Sequence, residues 1–195
     1  MIGDVYLVRD HGGPGLRGWL RRQLHDLITL IRSGRHTGYG HVAVEVSGGL
    51  VLDAGWSGIH FRDPQKWNSE RFSVAVIRRP LEASARERLY ARATSYLGQP
   101  YCPWTMLGHL LGRRVAGWLA RLDPRTVICS ELAAHLHLAA DGYQFRRRMS
   151  ADRLPAEQVR PRDIEWTTRR RYEGWQAIYL TSHGQPLALS RWHHD

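Results

Sequence analysis

The apolar positions of this chain follow two spacings, and the change from one to the other marks out its elements. Residues 4–9 alternate weakly and predict a strand, followed by a glycine-rich loop from His11 to Gly15. Leu16, Trp19, Leu20, Leu24, Leu27, Ile28 and Ile31 then fall at helical spacing, with Arg17, Arg21 and Arg22 on the other face. That pattern suits a helix packed on its own domain, and it also suits one lying on a membrane surface. His41–Val46 and Leu50–Asp53 are β-rich runs around a Ser47-Gly48-Gly49 turn, which predicts a hairpin. Ile59–Phe61 and Phe72–Ile77 are further strands, and Leu81–Leu97 is a helix with Ala85, Leu89, Ala93 and Leu97 on one side.

Pro103–Leu122 is expected to be helical although glycines at 108, 112 and 117 weaken it. Asp123-Pro124 breaks it, Thr126–Ile128 is extended, and Cys129–Ala140 is an apolar helix. Beyond Asp141 the chain reads as arginine-rich and irregular, with Trp175–Leu180 as a closing strand. No repeat or linker divides residues 1–195, so a single domain with a basic extension from about residue 141 is expected.

Composition changes this picture little: 43% hydrophobic and 24% charged residues describe an ordinary globular chain. Charge changes it more. The formal net charge is +10 and Lys66 is the only lysine, so almost all the positive charge is arginine. Arginine suits phosphate and carboxylate recognition, so an anionic partner such as a wall polymer, lipid or nucleic acid is one expectation. No apolar run is long enough to span a bilayer. The N-terminus reads as a first strand and not as a secretory signal, which makes the cytoplasm the default location.

The candidate chemistry centres on Cys129, which follows a β-branched run and opens an apolar helix. The first N–H groups of a helix are unpaired and carry the positive end of its dipole, so a thiol there ionises readily. Those N–H groups, Ser130 among them, can also hold an oxyanion. His41 opens a strand after Tyr39-Gly40, and Asp53 lies twelve residues on, where a hairpin can return it to the His41 ring. His135 and His137 point to different faces of one helix and make poor joint ligands. Two cysteines give neither a disulfide framework nor a zinc cage, and no metal-binding or phosphate-cradling motif appears. No metal and no cofactor is expected.

These residues match a known pattern. His41-Val-Ala-Val-Glu-Val-Ser-Gly-Gly-Leu-Val-Leu-Asp53-Ala resembles the HVGIYxGxGxVIEA hairpin of the NlpC/P60 superfamily of papain-like cysteine peptidases and amidases. Leu97-Gly-Gln-Pro-Tyr101-Cys-Pro-Trp104 resembles its LGxPYxW lead-in, and Val127-Ile-Cys129-Ser130-Glu131-Leu132 its CSxL nucleophile helix. In ordinary members the nucleophile helix precedes the hairpin, whereas here the hairpin comes first. The chain therefore resembles the circularly permuted YiiX/YaeF-like branch, related to the lecithin:retinol acyltransferase group. Gly3-Asp4-Val5-Tyr6-Leu7-Val8 is similar to that branch's GDxxLV opening strand.

The resemblance implies an α+β permuted papain-like fold, a small antiparallel sheet or partial barrel packed against helices. It implies Cys129 as nucleophile, His41 as base and acid, Asp53 as orienter, and Tyr101 as a candidate for oxyanion help. It also implies a thiol hydrolase acting on an amide or peptide bond, with cell-wall peptide or a lipid acyl group as substrate. Two rivals stand beside that reading. One is a lipid acyl hydrolase or acyltransferase at a membrane surface, using Leu16–Ile31 and Trp104–Leu122. The other is a non-catalytic basic binding module on the same fold.

Overall fold

The computed structural model describes residues 1–12, 15–16, 19, 23, 39–55, 57–102, 104, 108, 111–123, 126–146, 152–170 and 174–190. The strands are β1 (Val5–Asp10), β2 (His41–Ser47), β3 (Leu50–Gly55), β4 (Gly58–Arg62), β5 (Phe72–Arg78), β6 (Gln176–Ser182) and β7 (Gln185–Pro186). They form one open antiparallel sheet in the order β4-β3-β2-β1-β5-β6-β7. Among the described residues the helices are α1 (Ala83–Thr94), α2 (Arg113–Leu122), α3 (Cys129–Asp141) and α4 (Pro161–Arg169). The expected α+β class is the one observed. None of these helices is long and apolar enough to cross a membrane.

The sheet buries both faces, as the near-continuous valine runs of β2 and β5 require. On one face Val5, Leu7, Val42, Val44, Leu52 and Ile77 pack against Leu89 of α1 and Leu132 and Leu136 of α3, forming the main core. The other face carries a smaller cluster of Val8, Ala43, Val51, Val74 and Val76 around Trp67. Strand periodicity sorts these sets, since odd and even residues of β2 point to opposite sides.

Two local devices aim the front of α3. Strand β4 opens on Gly58 at φ +98°, where a Cβ would lie 2.9 Å from the carbonyl oxygen of Gln99. Only glycine permits that approach. It lets Ile59 exchange two backbone hydrogen bonds with the loop after α1, its N–H donating to Gln99 O at 3.0 Å and its carbonyl accepting from Gly98 N–H at 3.0 Å. Next, Tyr101 pairs in parallel with Val127, and Cys102 N–H donates to Val127 O at 3.2 Å. The chain is thus pinned two residues before Cys129.

Several elements differ from the sequence expectation. The stretch after Asp141, expected to be irregular, contains α4, and Phe145, Leu154, Val159, Ile164 and Trp175 belong to the main core. Its composition hid that, because Arg160, Asp163, Thr167 and Thr168 are buried beside the few apolar residues. β6 is continued by a hairpin to β7 through His183 (φ 50°) and Gly184 (φ 73°). Two left-handed residues in a row are what a tight hairpin turn demands. Only part of the helix expected over Pro103–Leu122 is described, as α2, and the Leu16–Ile31 helix lies almost wholly outside the described residues.

Candidate active site

The His41 ring is where three elements meet. Residue 41 is the first of β2, Asp53 sits near the end of β3 opposite Ala43, and Cys129 is the first residue of α3. His41 Nε2 lies 2.6 Å from Asp53 Oδ1, and the ring is also hydrogen-bonded to the Cys129 thiol. With Nε2 engaged by the carboxylate, Nδ1 is the ring nitrogen left to face sulfur. The side chain of His41 is 29% exposed, while Cys129 is only 2% exposed. His41 is therefore the solvent-facing member of the pair.

The carboxylate of Asp53 is buried and multiply held. Lys66 donates to Oδ2, and Arg62 Nε lies 3.3 Å from the same oxygen. Lys66 reaches it because Asp63 and Pro64 set up a short 3₁₀ turn, Pro64–Trp67, in which Asp63 Oδ1 accepts from Gln65 N–H at 2.8 Å. The same turn lays Trp67 edge-on to His41, with ring centroids 5.9 Å apart, and Lys66 Nζ sits 4.4 Å from the Trp67 ring centroid. Trp67 is buried, so the His41–Asp53 bond is shielded on that side by an apolar wall.

These contacts set the charges. Burial alone would lower the pKa of His41, but the hydrogen bond its ring donates to Asp53, then its interaction with Cys129, push it up to about 10. Burial alone would raise Asp53, but His41 and then Lys66 hold its carboxyl below the usual carboxylate range. The arrangement favours a charged imidazolium beside an ionised Asp53 carboxylate. Removing Asp53 charge would leave a buried cation under-paired, which is the costly case.

The front of α3 is held by its own residues. The Glu131 carboxylate accepts from Ile128 N–H at 3.3 Å, the return half of a capping box. Ser130 is fully buried and donates its hydroxyl to Val159 O at 2.7 Å. Its side chain therefore ties α3 to the segment before α4, and what it offers an oxyanion is its backbone N–H. Tyr101 is brought beside the turn that leads into Cys129 through its backbone pairing with Val127, and its half-buried ring packs on the core. Cys102 is buried too.

Lys66, Arg62 and Trp67 were not singled out from the sequence. The signal for one of them was present: Lys66 is the lone lysine of an arginine-rich chain. A compact ammonium reaches one carboxylate oxygen as a point charge, which a guanidinium fork does less well in a tight turn. Among the described residues no group of three or more His, Cys, Asp or Glu is arranged to hold a metal ion.

Fold and site first define a class: an α+β chain with an open seven-stranded antiparallel sheet and a cysteine–histidine–aspartate cluster where sheet and helix begin. A solved structure then supplies a likeness. The chain is similar to the metalloprotein YiiX of Escherichia coli O157:H7, with a TM-score of 0.55 and 13% identity over 93% of this chain and 98% of that one. At that identity the likeness is one of fold, and it agrees in fold with the YiiX/YaeF-like branch. No protein-family model matches the chain, and no curated protein does.

Proposed function

We propose that this protein is a cysteine hydrolase that cleaves an amide or peptide bond through an acyl-enzyme on Cys129. One observation carries the reading: the His41 ring bridges the Cys129 thiol and the buried Asp53 carboxylate. In the resting pair the proton sits on His41 and sulfur is a thiolate. The thiolate attacks the carbonyl carbon and a C–S bond forms. The oxyanion is held by backbone N–H groups of the first turn of α3. His41 then gives its proton to the leaving amine, and the C–N bond breaks.

Neutral His41 next takes a proton from water, whose oxygen attacks the thioester. The acid product leaves and the thiolate–imidazolium pair returns. Asp53 fixes the ring orientation throughout and Lys66 keeps that carboxylate ionised. Cell-wall peptide is the substrate class this reading takes, in keeping with the resemblance of the three motifs. The test uses an activated acyl ester. A burst of leaving group and an acyl mass increment on the peptide containing Cys129 are expected, both absent in Cys129→Ala. A parent that shows neither, or a variant that shows both, overturns the proposal.

A further inference from the structure

Among the described residues, one helix presents an outer face whose large apolar side chains are left exposed. In α2 the inner residues Ala116, Gly117 and Ala120 are buried. A Cβ at Gly117 would lie 3.4 Å from Gln158 and 3.5 Å from Glu157, so this side rests on the 3₁₀ turn Ala156–Gln158. The segment before α2 also meets it closely, since a Cβ at Gly108 would come within 2.8 Å of Leu119. Both contacts use the inner side.

On the opposite side Arg114, Trp118, Arg121 and Leu122 recur at i, i+4, i+7 and i+8, which is one helical stripe. Trp118 is 60% exposed and Leu122 62%. Just before the helix, Leu111 is 71% exposed and Trp104 65%. Trp118 and Leu122 share one stripe of α2, and large apolar side chains this open on one face mark an interaction surface. Between Trp104 and Leu122 the sequence has no Asp or Glu, but it has Arg113, Arg114 and Arg121. Of these Arg121 has an acidic neighbour, Glu157 at 3.6 Å, and is itself largely exposed.

We infer that the outer face of α2 docks on an anionic lipid surface. Tryptophan and leucine enter the headgroup boundary, and the arginines beside them meet lipid phosphate or carboxylate. The absence of acid along the stripe and the formal charge of +10 supply the complementarity. Interleaved tryptophan and arginine suit a boundary that is apolar on one side and charged on the other better than they suit a nucleic-acid groove. α2 ends seven residues before Cys129, so the docked face lies next along the chain to the α3 N-terminus. The inference does not rest on the thiol chemistry.

The test is co-sedimentation of the full chain with phosphatidylcholine vesicles, with and without phosphatidylserine. Binding to the anionic vesicles should exceed binding to the neutral ones by about tenfold, and should weaken as salt rises. Trp118→Ala with Leu122→Ala should weaken it by about tenfold or more, and Arg114→Gln with Arg121→Gln should remove most of the preference for anionic lipid. These positions are exposed, and unchanged thermal unfolding checks that the variants fold. Cys129→Ala should bind vesicles like the parent, so loss of activity and loss of docking are separable. No pelleting with anionic vesicles overturns the inference, as does binding that neither double variant changes. So does a solution dimer that the apolar variant dissolves, or RNA binding that survives the apolar variant while vesicle binding is absent.

Discussion

His41 is partly buried and His137 fully so, and their surroundings drive them in opposite directions. His41 opens a strand, holds Asp53 at 2.6 Å, and is pushed up to about 10. His137 lies fully buried inside α3 among Tyr143, Phe145 and Trp175, the nearest ring centroid, that of Trp175, at 5.1 Å. Burial pushes it down to about 3, and the charge of Arg79 adds to this. The contrast shows that burial alone makes a histidine a neutral packing residue. A buried carboxylate on the ring makes it a held cation. Only the second can store a proton beside a thiol.

The largest break in this comparison is to remove the His41 ring. His41→Ala should lower turnover by about a thousandfold or more, in line with loss of a positioned acid and base. Activity within tenfold of the parent would show that another group moves the proton. Turnover of the parent should also decline on the alkaline side as His41 loses its proton near its pKa of about 10.

Asp53→Asn tests the cause and not the ring. Turnover should fall by about ten- to a hundredfold, the amide still orienting the ring but no longer charging it. The His41 NMR titration should move from about 10 back toward its ordinary 6.5. An unmoved midpoint would mean that Asp53 does not hold the cation.

A smaller effect separates the two regions through stability. His41 binds its proton more tightly folded than unfolded. Its contribution is complete below pH 6.5 and is lost as pH rises toward about 10. His137 binds its proton less tightly folded. Its neutral form supports the fold above pH 6.5, and that support is lost as pH falls toward about 3. His137→Phe should therefore unfold at lower pH than the parent and change neutral-pH stability by less than about 1.5 kcal/mol. Acid unfolding followed by circular dichroism gives the comparison. A variant with the parent's acid midpoint would remove His137 from the account. Smallest of all, Lys66→Met should cost a few-fold in turnover while leaving the His41–Asp53 bond in place.

How much of this was legible depends on which features are local. The strands around Ser47-Gly48-Gly49 and the helix after Cys129 were readable because alternation and helical spacing are local signals. The meeting of His41 with Asp53 was readable because a hairpin fixes it. The company of Asp53 was not, since Lys66 arrives from a different turn whose direction depends on Asp63 and Pro64. Ser130 was placed on the right helix, but its hydroxyl went to Val159, a partner 29 residues away that no spacing rule reveals. The chain after Asp141 reads as irregular because the inward side of α4 carries Asp163, Thr167 and Thr168 beside Ile164, polar residues that give no hydrophobic period.

The central claim is that Cys129 is held as an activated thiol by His41. It is tested most directly by competitive alkylation with limiting iodoacetamide near neutral pH, with the sites quantified by mass spectrometry. Both cysteines are buried, so Cys102 serves as the internal standard. The account predicts that Cys129 is labelled far faster than Cys102, by about a hundredfold, and that His41→Ala erases the difference. Equal labelling of the two cysteines, or a preference for Cys129 that survives His41→Ala, would contradict it.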